Sequence, residues 1–279
     1  MGRAFTDSGF ANFVRSDTLG RRASDLRRAL SSWERADLHA AAERALAYLP
    51  ADARITATIY IVIKPRSNSF VWEVGTNPAI FLYLDPKITA PKFANTVAHE
   101  LHHIGYASVW SRTDSILGAL PDSVRPAAEW MGAFGEGFAM LAAAGGPDVH
   151  PHAESPAAER ARWDNDMANF NRDLRALEGF FVDVIARHLA TPDTIQAVAS
   201  TFYGIQGPWY TVGWKMAVII EQRFGRPELI RCMIDPKRLL NRYAVAAADY
   251  NRTHSDTLAL WSPPLLAAMG IEEATPARD

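Results

Sequence analysis

The segment Val97-Ala98-His99-Glu100-Leu101-His102-His103 contains the pattern H-E-x-x-H. Residues four apart lie one turn above each other on the same face of a helix, so His99 and His103 can both present an imidazole nitrogen to one metal ion. Glu100 projects beside them and is placed to take a proton from a metal-bound water. Phe93, Val97, Leu101 and Ile104 form the apolar opposite face that would bury such a helix. His102 points about 100° away from its neighbours and reads as a rim or supporting group rather than a ligand. His39, His188 and His254 stand alone in helical contexts and read as ordinary surface or core residues.

A catalytic zinc takes three protein ligands and keeps a fourth position for water, so one more residue is required. The candidates are Glu129, Glu136, Asp114, His150 and His152. Glu129 and Glu136 lie seven apart, two turns along one face of a helix predicted over 125–144. Glu136 is favoured because it sits in Gly135-Glu136-Gly137-Phe138-Ala139, whose small residues would let this helix approach the His99 helix closely. Glu129 is flanked by Ala128 and Trp130, and the bulky neighbour hinders such an approach. Tyr210, opening a helix just after Gly207-Pro208, is the candidate donor to a developing oxyanion, with Tyr203 as its rival.

The elements that must position these residues change character along the chain. Helical periodicity covers 24–30 and 36–49, with Leu38, Ala42, Leu46 and Leu49 spaced four, four and three apart. Three β-branched or aromatic runs follow, at 54–63, 69–74 and 79–84, and predict a small, largely antiparallel sheet. From Thr89, a plausible N-cap ahead of Pro91, the pattern is helical to the end. Ser155-Pro156, Thr191-Pro192, Asp235-Pro236 and Ser262-Pro263 each read as a cap followed by proline at the first helical position. An apolar stripe from Trp163 to Val184 predicts one long bundle helix, and Gly204 and Gly225 suit helix C-termini. The Pro- and Gly-rich stretch 145–156 is a loop, and it divides the chain into 1–145, with the sheet and the metal-binding helices, and a helical subdomain, 146–279.

With these motifs in hand, the chain resembles the gluzincin metallopeptidases, in which two histidines and a downstream glutamate hold zinc. The string Glu136-Gly-Phe-Ala139 is similar to that around the third ligand of zinc aminopeptidases. Gly207-Pro-Trp-Tyr-Thr-Val-Gly-Trp-Lys-Met-Ala217 more closely resembles an uncharacterised family of zinc-dependent peptidases. The resemblance covers about 55–225. It implies an α+β, zincin-like fold with zinc on His99, His103 and Glu136 in a cleft between a small N-terminal sheet with its active-site helix and a mainly helical C-terminal half. It also implies hydrolysis of peptide bonds by a zinc-activated water with Glu100 as general base. Three departures stand out. The His103–Glu136 gap is longer than in the best-known gluzincins, the G-A-M-E-N motif that captures a free α-amine is absent, and Met140 occupies the position where a carboxylate would orient the first histidine. Other readings of the same residues are a zinc hydrolase of a non-peptide amide or ester, and a vestigial zincin-fold binding protein. The strand at 79–84 is the candidate to hold an extended peptide by edge pairing.

Composition narrows the partners. Of 279 residues, 48% are hydrophobic and 22% charged, which excludes wholesale disorder. Lys+Arg of 29 against Asp+Glu of 31 leaves a net charge of −2 and no basic stripe, so nucleic acid is not an expected partner. A peptide or protein substrate is. No apolar run is long enough to span a membrane, and the single cysteine, Cys232, excludes an internal disulfide. The first residues contain no apolar signal-peptide core. Cytoplasmic location is therefore favoured, with a secreted or periplasmic one open if a leader has been removed. The sequence carries no signal for oligomeric state.

Overall fold

The structure is a computed structural model that describes residues 7–64 and 69–271. Three helices open the chain: α1 (Asp7–Val14), α2 (Asp17–Trp33) and α3 (Leu38–Leu46). Asp37 starts α3 by accepting a hydrogen bond from the Ala40 N–H, which satisfies one of the helix's orphan donors. Three short strands follow, β1 (Thr58–Val62), β2 (Phe70–Trp72) and β3 (Ala79–Tyr83), in the spatial order β1-β3-β2. β2 and β3 are antiparallel. The Glu73 carbonyl accepts from the Thr76 and Asn77 N–H groups in the connecting turn, with Glu73 itself at φ 51°. β1 runs parallel to β3, with Thr58 opposite Ala79 and Val62 opposite Tyr83.

The sheet is thus mixed, not largely antiparallel. After β1 the chain crosses to the opposite edge before returning up the middle, a long-range pairing that strand spacing does not encode. The order has a second consequence. β3 is bonded on both sides, so it offers no edge to a peptide, and the edges belong to β1 and β2.

α4 (Ala90–Ala107) carries the H-E-x-x-H segment. The Thr89 hydroxyl accepts from the Lys92 N–H at 3.3 Å, and Pro91 lies in the first turn, where its missing N–H costs nothing. Phe93, Val97, Leu101 and Ile104 are buried as the periodicity predicts. Phe93 stacks on Trp33 at 4.5 Å, and with Leu26, Ala41, Ile80 and Leu82 this face makes a core between α2, α3, the sheet and α4.

The rest is helical: α5 (Trp110–Gly118), α6 (Arg125–Met131), α7 (Gly135–Ala144), α8 (Ala157–Ala168), α9 (Phe170–Ile185), α10 (Pro192–Thr201), α11 (Pro208–Phe224), α12 (Arg226–Ile234), α13 (Pro236–Thr253) and α14 (Pro263–Ala268). The helix predicted over 125–144 is two helices joined by a 3-10 turn at Gly132–Phe134, bounded by two weak helix formers, Gly132 and Gly135. The stripe from Trp163 to Val184 also spans two helices. They break at Asn169, whose side chain donates to the Asn165 carbonyl at 2.9 Å and so competes with the helical ladder. The stripe survives the break, with Trp163, Phe170, Leu174, Leu177, Phe181 and Val184 all buried. Thr191, Asp235 and Ser262 cap α10, α13 and α14 through their side chains. Ser155 does not cap α8, which starts one residue later than expected. Its hydroxyl instead accepts from Lys92 Nζ at 2.6 Å and contacts His152 Nδ1 at 3.0 Å.

These helices enclose a second, larger core that includes Phe134, Phe181, Trp209, Tyr243 and Trp261. α7 is the shared wall. It packs on α4 along one side and on α11 along the other, giving Ala143 to the first core and Phe138 and Leu141 to the second. No helix among the described residues is long and apolar enough to cross a membrane.

Candidate metal centre

Packing of α7 on α4 brings three side chains to one point. His99 Nε2 lies 3.2 Å and His103 Nε2 3.3 Å from the same Glu136 oxygen, Oε2, and the two imidazole nitrogens are 3.0 Å apart. Among the described residues this is the group of histidine and acidic side chains with the mutual spacing of a metal site. Zinc holds nitrogen and oxygen ligands at about 2.0–2.1 Å in tetrahedral geometry, which separates neighbouring donor atoms by about 3.3 Å. The observed triangle has nearly those edges, and two imidazoles with one carboxylate is a donor set that zinc favours. The residues fit the ion. Burial alone would raise the Glu136 pKa, but the His103 and His99 imidazoles override it and hold the group below the usual carboxylate range. Burial would lower the His103 pKa, and Glu136 reverses that shift too.

α11 supplies the third wall. Pro208 opens the helix, and Trp209 anchors it in the core, its ring fully buried and its Nε1 donating to the Ala199 carbonyl at 2.9 Å. The next residue, Tyr210, is thereby turned toward the site, its ring nearly parallel to that of His99 at 6.3 Å. Burial, then the Glu136 charge, pushes its pKa up, so its hydroxyl stays protonated. α7 and α11 meet main chain to main chain: a Cβ on Gly137 would fall 2.0 Å from the Trp214 nitrogen and 2.6 Å from Gly213 Cα. The glycine therefore serves the approach of α7 to α11. This corrects the expectation that the small residues around Glu136 admit the His99 helix. Gly135 faces open space.

Two cavities flank the three side chains. One, of about 220 Å³, is lined by His99, Glu100, Tyr210, Lys92, His152 and Gln206. The other, of about 430 Å³, is lined by His103, Glu136 and a group of aromatic residues with Glu129 and Tyr203. A larger hollow of about 700 Å³ between α2 and the start of α4 shares no residue with either. Its charges, including Arg22, Asp25, Arg28, Asp85 and Lys87, are of mixed sign.

The other candidates fall elsewhere. Glu129 is exposed and lies outside the three-residue cluster. Asp114 is exposed on α5. His150 pairs with Asp164 at 3.0 Å. His152 is buried in the wall beside Glu100, where burial, then the Lys92 charge, pushes its pKa down to about 4. His102 is not a rim residue: it is 1% exposed, and burial, then the neighbouring histidines, pushes its pKa down to about 3. His99 Nδ1 is buried with no hydrogen-bond partner among the described residues, and Met140 lines the cavity next to it. The aromatic cavity went unread in the sequence because its walls come from α4, α5, α6 and the loop after α10, which share no local pattern.

No curated protein and no solved structure matches the chain. A family described as "Putative zinc dependent peptidase (DUF5700)" matches residues 11–252. That match spans most of the sequence and agrees with the donor set assembled by α4 and α7, and the chain belongs to this zinc-dependent family.

Proposed function

We propose that the protein is a gluzincin-type metallopeptidase in which His99, His103 and Glu136 hold zinc and Glu100 is the general base. The observation that carries this reading is the convergence of three donor atoms, 3.0–3.3 Å apart, on a cleft that Glu100 also lines. Zinc held by these three side chains would supply acidification of a water and polarisation of a carbonyl. Glu100 takes the proton from the attacking water and passes it to the leaving amine, so one carboxylate serves both halves of the reaction. The Tyr210 hydroxyl, kept protonated by its burial, donates to the oxygen of the tetrahedral adduct. An extended peptide lies across the site with its two sides in the two flanking cavities.

The test is a mass-spectrometric peptide-library digest by the zinc-loaded protein and its Glu100→Gln variant. Zinc is expected at equal occupancy in both, with turnover in the variant lower by about 10²-fold or more. A zinc-loaded Glu100→Gln protein that cleaves as fast as wild type removes Glu100 from the reaction and the mechanism with it.

A further inference from the structure

The larger of the two flanking cavities has a chemistry of its own. Its walls are the rings of Tyr106, Trp110, Trp130 and Tyr203, and the carboxylate of Glu129 lies among them. These walls are fixed. The Tyr106 hydroxyl sits between Thr113 Oγ1 at 3.0 Å and the Met233 carbonyl at 3.2 Å, and its ring meets Trp110 edge-on at 5.6 Å. Trp130 stacks on the buried Trp209 at 6.3 Å, and Tyr203 packs on the same ring at 6.4 Å. No lysine or arginine lines the cavity. Among the described residues the Glu129 side chain has neither an ion pair nor a hydrogen bond.

An unpaired carboxylate in a cavity lined by four aromatic rings attracts a cation by its charge, and ring quadrupoles add to that attraction wherever a face is presented. An apolar occupant would instead strip water from Glu129 without compensation. The dimensions suit a long side chain. Glu129 precedes Glu136 by seven residues, about 10–12 Å along α6, the 3-10 turn and α7, comparable to the reach of an extended lysine or arginine from a carbonyl held at the site plus one hydrogen bond of about 2.9 Å to the carboxylate. The opposite cavity carries both signs of charge, Glu100 and a Lys92 already paired with Glu159 at 3.0 Å.

We propose that this cavity is a substrate side-chain subsite that takes lysine or arginine, with Glu129 as the specificity-determining residue. The proposal rests on the peptidase reading for its substrate, so its test reads binding rather than cleavage. Acetylated hexapeptides in which Arg, Met or Glu is walked through each position are titrated calorimetrically into zinc-loaded Glu100→Gln protein. The same titrations are repeated with Glu129→Gln added. Acetylation removes the α-amine, so only a side chain can supply the charge. At one position Arg is expected to bind about tenfold more tightly than Met, and Glu more weakly than either. Adding Glu129→Gln is expected to bring Arg and Met within about twofold of each other. Equal binding of Arg and Met peptides at every position overturns the proposal, as does an Arg preference that survives Glu129→Gln. If the Arg preference holds while zinc-loaded wild type cleaves no peptide, the peptidase reading fails and the cation subsite stands.

Discussion

Gly137 and Gly135 lie two residues apart in α7, and the structure assigns their alanine variants opposite effects. At Gly137 the added methyl would sit 2.0 Å from the Trp214 nitrogen and 2.3 Å from the Gly213 carbonyl carbon. Non-bonded carbon contacts need about 3.5 Å or more, so α7 and α11 would have to separate by more than an ångström. The obstacle is main chain, which no rotamer change can relieve. Overpacking of this severity costs about 3 kcal/mol, and the roughly 1 kcal/mol by which alanine exceeds glycine as a helix former offsets part of it. A net loss of about 2 kcal/mol lowers the melting temperature of a chain of 279 residues by about 3–4 °C. At Gly135 a methyl meets nothing within 4 Å, so only the propensity gain remains, and Gly135→Ala is expected to melt at or slightly above the wild-type temperature. The assay is thermal unfolding followed by circular dichroism, with zinc content measured on the same samples. Gly137→Ala is also expected to bind zinc less well, because α7 carries Glu136 on the adjacent residue. A Gly137→Ala protein that melts with the wild type, or a Gly135→Ala protein that falls as far, refutes the claim that contact between α7 and α11 sets the position of Glu136.

Two further expectations follow from other parts of the molecule. Glu228 is 6% exposed, and hydrogen bonds from Arg238, with further ones from Arg242 and Arg231, lower its pKa to about 2 against the opposing effect of burial. A carboxyl depressed this far contributes stability that is present above its unfolded pKa near 4.3 and is lost as pH falls toward about 2; the contribution is about 2–3 kcal/mol at neutral pH. Glu228→Gln should therefore show a lower urea midpoint than wild type at pH 7 and roughly half that deficit at pH 3, and a deficit independent of pH would count against the arginine cluster as its source. At the site, Tyr210→Phe is expected to lower kcat by about 10²-fold with little change in KM, whereas Tyr203→Phe should cost less than tenfold. The reverse order would transfer the oxyanion role to Tyr203.

How much of this was legible depends on the range over which each feature is encoded. α4 could be read because its cap, its first-turn proline and its buried stripe all lie within eighteen residues, and a helix with that stripe inside must present His99, Glu100 and His103 outside. Glu136 was marked by its small neighbours, but the physical reason differed: Gly137 yields to Gly213 of α11, 76 residues away in sequence, and no local pattern announces that contact. The break at Asn169 leaves no mark on the apolar stripe because a single-residue interruption barely shifts the helical phase, so the stripe runs on across it. His102 stands outside the metal cluster, as its direction on the helix implies, but it is buried and not at the rim. Its direction about 100° off the ligand face was right, but whether that direction meets solvent or protein is set by helices packed from elsewhere. The parallel pairing of β1 with β3 and the aromatic walls around Glu129 are likewise long-range, joining segments that carry no mark of one another.

The central claim is that zinc is held by His99, His103 and Glu136 while Glu100 serves chemistry alone. Elemental analysis of zinc per chain tests it most directly, on wild type, Glu136→Ala, Glu129→Ala and Glu100→Gln purified identically and reconstituted with zinc. About one zinc per chain is expected in wild type, the same in Glu129→Ala and Glu100→Gln, and a marked loss in Glu136→Ala alone. Full zinc in Glu136→Ala, or its loss in Glu129→Ala, would contradict it.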